Sequence, residues 1–94
     1  MSPKSFRDPA RLRLEQEHRT VMVRLGDAHM AKASALLKRA PKTATRFAGR
    51  MDKAGHHLLG AYGAFCEAGM GAMAAIARQC REDVQRMGQR ARAL

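Results

Sequence analysis

Ninety-four residues make one domain at most, with a small core. Aromatic content is 4% and Trp is absent, which excludes a core built on bulky rings; Ala, Met and Leu dominate and favour helices. The net charge of +10, from 18 Lys+Arg against 8 Asp+Glu, points to a polyanionic partner: DNA, RNA or an anionic surface.

The charge is unevenly placed. Residues 20–51 carry seven basic groups and one acidic group, a net of +6, while residues 1–19 and 52–94 each carry a net of +2. The two cysteines and an N-terminus, MSPKSFRDPARLR, with no apolar signal-peptide core predict a reducing, cytoplasmic setting with free thiols.

Met1 to Phe6 reads as a basic arm. Asp8-Pro9 is a helix start, an Asp cap with Pro at the first helical position. Ala10 to Arg19 follows as a short helix or an ordered arm, so that residues 1–19 form a unit of their own.

Thr20 to Leu25 reads in two ways. Val21, Val23 and Leu25 alternate with Thr20, Met22 and Arg24, the period of a half-buried strand. Read as helix, the stretch joins Pro9 to Ala40, with His18, Val21 or Met22, Leu25, His29, Ala33 and Leu36 as its stripe. Gly26 argues against the continuous helix because it costs about 1 kcal/mol relative to Ala. Three β-formers in five residues favour the strand.

Asp27 is placed to cap a helix from Ala28 to Ala40, with Met30, Ala33, Leu36, Leu37 and Ala40 inward and Lys32, Lys38 and Arg39 outward. Pro41 ends it, since the residue before a proline avoids the α region. Thr43 is a reasonable cap for the next helix, whose core contacts are Phe47, Ala48 and Met51.

From His56 onward the pattern is a heptad. Leu59, Gly63, Cys66, Met70, Met73, Ala77, Cys80, Val84, Met87, Ala91 and Leu94 follow in steps of four and three, a coiled-coil-like seam. Residues 56–94 are therefore predicted to be a long amphipathic oligomerisation helix, with a kink or break near Gly69–Gly71. Cys66, Met70, Met73, Ala77, Cys80, Val84 and Met87 are its expected contacts between copies. Cys66 and Cys80 on one continuous helix would lie about 21 Å apart at 1.5 Å rise per residue, too far to bridge each other. Leu58 to Ala77 is poor in charge but rich in Ala and Gly with Glu67 inside it, so an integral membrane span is not expected.

The order strand, capped helix, turn, polar-start helix over Thr20 to Met51 resembles the ribbon-helix-helix family of Arc/MetJ-type DNA-binding proteins. Leu25 ends the strand, Asp27 caps helix one, Leu36 sits at a core position, Thr43 and Thr45 match the polar start of helix two, and Phe47, Ala48 and Met51 match its core face. The resemblance covers about a third of the chain. Ala33, Pro41, the preceding nineteen residues and the added C-terminal helix depart from the family pattern. It implies a mainly α fold with one short strand and two helices in residues 20–55, the strands of two chains pairing into a ribbon for the DNA major groove. Thr20, Met22 and Arg24 would then contact bases, Arg24 with two bonds to a guanine edge. Lys42, Thr43, Ala44 and Arg46 at the start of helix two would hold a phosphate.

The function that follows is a dimeric or tetrameric, sequence-specific binder of double-stranded DNA, acting as a transcriptional repressor or a plasmid-transfer accessory factor. The rival is an all-α bundle or coiled coil, with Pro9 to Ala40 one helix and Thr43 to Leu94 one or two more. It would be an interaction or surface-coating (phasin-like) protein working through the heptad seam. His18, His29, His56, His57, Cys66 and Cys80 lack the spacing of a metal site. Asp52, Glu67, Glu82 and Asp83 form no acid–base pair, so no enzyme, small-molecule substrate, metal or cofactor is expected.

Overall fold

Asp8 and Pro9 start a helix, as their types suggest. The Asp8 carboxylate accepts the backbone N–H of Ala10 at 3.0 Å, and the missing N–H of Pro9 leaves nothing unsatisfied. In the computed structural model, which describes residues 8–38 and 42–94, this helix α1 runs unbroken from Pro9 to Lys38. It is followed by α2, Ala44–Glu67, and α3, Gly71–Arg92. The protein is mainly α, and no strand occurs among the described residues. The predicted turn at Ala40-Pro41 lies outside them.

The predicted ribbon strand at Thr20–Leu25 is therefore corrected: the stretch is mid-helix. The Thr20 hydroxyl donates to the Gln16 carbonyl one turn back at 2.9 Å. Val21 and Leu25, expected to face a core, are 55% and 44% exposed. Burial instead follows the helical period, with Gly26 and Ala33 buried and Met22, Val23, His29, Met30 and Leu36 half-buried. Two energies decide it. Valine costs a helix only a few tenths of a kcal/mol, and strong helix formers flank the stretch. The cost of Gly26 is offset because the Phe65 ring packs against its backbone, with a would-be Cβ only 2.6 Å from Cε1.

Helix α2 begins at the predicted cap, the Thr43 hydroxyl accepting the Arg46 N–H at 3.2 Å. It passes through residues 55 and 56 without interruption. It ends in a left-handed turn. Gly69 has φ +71°, the Met70 N–H bonds the Phe65 carbonyl at 2.8 Å, and the Gly69 N–H bonds the Cys66 carbonyl at 3.0 Å. This is the double closure of a Schellman motif. The predicted break near Gly69–Gly71 is thus present, but it is a full reversal, and the single C-terminal helix over 56–94 is corrected to the end of one helix and a second that folds back on it.

Helix α2 packs against both α1 and α3, in a bundle 64 × 20 × 15 Å. One cluster gathers Ala33, Met51, Ala54, Leu58 and Val84; the other gathers Ala61, Phe65, Ala74 and Ala77; Met30 touches both. Small residues let the helices approach closely. A Cβ on Gly88 would stand 3.2 Å from that of Met51. The heptad seam is spent mostly inside the chain. Ala77 and Val84 are buried, and Met70, Met73 and Cys80 are half-buried against the two clusters, while Cys66 and Met87 are exposed. An interface between copies built on Ala77 and Val84 would have to open the α2–α3 pair.

Candidate anion-binding groove

Where α1 lies along α2, an open groove of about 610 Å³ runs between them. Lys32, Ala35 and Leu36 line it from α1, at three- and four-residue spacing that puts them on one side of the helix. Arg50, Lys53, His56 and His57 line it from α2, with 50, 53 and 57 again on one face. Among the described residues no carboxylate lines the groove. Among the described residues the carboxylates in ion pairs bond elsewhere: Asp52 to Arg92, Asp83 to Arg86, Glu15 to Arg11 and Glu67 to His18. None of those pairs involves Lys32, Arg50 or Lys53, so the groove is a patch of one sign.

A histidine pair joins the groove's two walls. His29 Nδ1 of α1 and His57 Nδ1 of α2 stand 3.2 Å apart, half-buried, with the rings 5.5 Å apart and tilted by 40°. Such a contact is a hydrogen bond when one Nδ1 carries the proton and the other offers its lone pair. Gly60 makes room for the His29 ring, since a Cβ there would be 2.8 Å from Nε2. Burial first, and then the charges of His29, Lys32 and His56, hold the His57 imidazole below its ordinary pKa. The cationic surroundings make the site hostile to a metal ion, and among the described residues no group of three or more His, Cys, Asp or Glu could hold one.

The predicted base-reading set is not brought together. Thr20 and Arg24 are exposed and one helical turn apart, whereas Met22 is half-buried. The predicted phosphate contacts fare differently. Lys42, Thr43 and Ala44 line a second, more apolar groove with Phe47, Met87, Arg90, Ala91 and Leu94, and Arg46 is exposed close by in sequence. The sequence pattern puts Lys32 on an outer face and does not single out Arg50 or Lys53. The spacing of Arg50, Lys53 and His57 on one helical face was the available signal.

Comparison with known proteins finds no matching family model, no matching curated protein and no matching solved structure. No described helix is long and apolar enough to cross a membrane.

Proposed function

We propose that this protein binds the phosphate backbone of double-stranded DNA through the α1–α2 groove. The observation that carries this reading is a groove lined by Lys32, Arg50 and Lys53, with two histidines and no carboxylate. Fixed cations of one sign attract phosphate and release its counterions, which gives affinity and position without base choice. The lining favours duplex over the other polyanions. Its rings are only the two imidazoles, so it lacks the aromatic platform on which single-stranded bases stack. Its apolar lining is only Ala35 and the half-buried Leu36, too little for insertion into a lipid surface.

The test compares two triple variants of equal charge by anisotropy of a labelled duplex across salt concentrations. Lys32→Ala/Arg50→Ala/Lys53→Ala should lose at least about tenfold in affinity and flatten the slope of log K against log salt by about 3. Arg13→Ala/Arg24→Ala/Arg78→Ala removes exposed cations outside the groove and should lose clearly less. Equal losses would mean that overall charge, and not the groove, binds.

One further observation favours self-association. Leu14, Val21 and Leu25 are 65%, 55% and 44% exposed, and their spacing of seven and four puts them on one face of α1. A second copy would cover that stripe, and Leu14→Glu/Val21→Glu should then shift the sedimenting mass to that of one chain.

A further inference from the structure

We infer that the groove takes up one proton together with the DNA phosphate, with His57 as the group that carries it. The inference rests on the groove being the DNA site and names how that site is regulated. His57 lines the groove, and its Nδ1 is turned to His29 on the opposite wall. Its Nε2, on the other edge of the ring, is the atom left to meet an anion.

The proton bookkeeping permits one added proton and no more. In the neutral pair, one imidazole donates Nδ1–H to the lone pair of the other, whose own proton sits on Nε2. When His57 is the donor, a proton added to its Nε2 makes it an imidazolium. It keeps its Nδ1–H bond to His29 and gains an Nε2–H to offer to a phosphate oxygen. A second proton, on His29 Nδ1, would remove the acceptor and set two positive rings against each other at 3.2 Å. The charged form of His57 is opposed in the free protein by burial, by His29 and Lys32 from α1 and by His56 from α2, and the other charged groups facing the groove, Arg50 and Lys53 of α2, are cations too. Among the described residues no carboxylate in the lining relieves that opposition, and none of the lining comes from α3. A bound phosphate supplies the missing negative charge, so it reverses the balance that keeps His57 neutral. Binding and protonation then strengthen each other by the same factor.

Duplex DNA is the suitable probe because its phosphodiesters do not titrate near neutral pH. Affinity is measured at fixed salt over about pH 5.5 to 8, the range in which histidine changes charge. Calorimetry in two buffers of different ionisation heat counts the protons taken up. Affinity should rise on acidification with a limiting slope of about tenfold per pH unit, and close to one proton should be absorbed per chain bound. His57→Gln should flatten the profile, whereas His18→Gln, outside the groove and paired with Glu67, should leave most of it. NMR titration of the wild-type imidazoles provides a check that needs no variant, since only His57 should show a large rise in pKa on adding duplex. Binding that is strong but independent of pH, or a slope that survives in His57→Gln, overturns this inference and leaves the groove reading standing. No binding at any pH overturns both.

Discussion

The Phe65 ring lies where a side chain at residue 26 would stand. A Cβ on Gly26 would meet three of its ring carbons between 2.6 and 2.9 Å, and Phe65 is fully buried with no room to retreat. Gly26→Ala should therefore destabilise the fold by about 1–3 kcal/mol despite the better helix propensity of alanine. Gly63 is the contrast. It is exposed, within the last two turns of α2, with nothing within 4 Å of a would-be Cβ, so Gly63→Ala should stabilise by about 0.5–1 kcal/mol. Urea denaturation of the two variants checks both signs. From sequence alone the two glycines look alike, because the ring that distinguishes them belongs to another helix. His57 adds a pH effect of definite sign. Its folded pKa lies below the ordinary histidine value of about 6.5, so the unfolded chain takes up the proton first. The stability it contributes is complete above about pH 6.5 and is lost as pH falls from there toward the folded pKa. Denaturation midpoints followed downward from neutral pH should show this loss, and His57→Gln should remove it, while the depressed Asp83 carboxyl, held low by its bond to Arg86, acts only in the lower carboxylate range.

At the scale of elements, three helix ends were legible, but the helix start read at Asp27 is corrected, since that residue lies inside the unbroken α1. Asp8-Pro9, Thr43 and the glycines near 69–71 each carry chemistry that acts within a few residues, and each marks an observed boundary. The alternation at Val21, Val23 and Leu25 is a different case. The same residues also fit a helix, where Leu14, Val21 and Leu25 share one face, and only the neighbour at Phe65 settles which period holds. The groove was hidden for a related reason, since Lys32 and Arg50 come together only once α1 lies along α2. The turn between α2 and α3 can be tested directly. Gly69 sits at φ +71°, where a Cβ is strained even though the surrounding space is open. Gly69→Ala should cost about 1–2 kcal/mol, and Gly69→Asn should cost less because asparagine tolerates the left-handed region. Equal losses in the two variants, measured by thermal denaturation, would mean that the backbone conformation is not what the glycine supplies.

The whole molecule is thin for its length, at 64 × 20 × 15 Å, and its largest fully buried side chains are only Phe65, Leu58 and Val84. The rest of the buried apolar core is mainly alanine, which contributes little transfer energy per residue. Residues 9–20 of α1 are helical yet exposed throughout, touching the end of α2 only at an exposed rim that includes the His18–Glu67 pair, and a helical segment of that length with no buried face is marginal in water. The exposed stripe of Leu14, Val21 and Leu25 begins in that segment and continues onto the packed half of α1. A second copy lying on the stripe would bury those three side chains and support the overhang, and its binding would be linked to folding by mass action. The melting temperature should then rise with protein concentration. Leu14→Glu/Val21→Glu should abolish that dependence and lower the melting temperature to the dilute limit of the natural protein, because neither side chain packs in the single-chain core. A melting temperature independent of concentration, together with an unchanged value in the double variant, would show that the overhang stands without a partner.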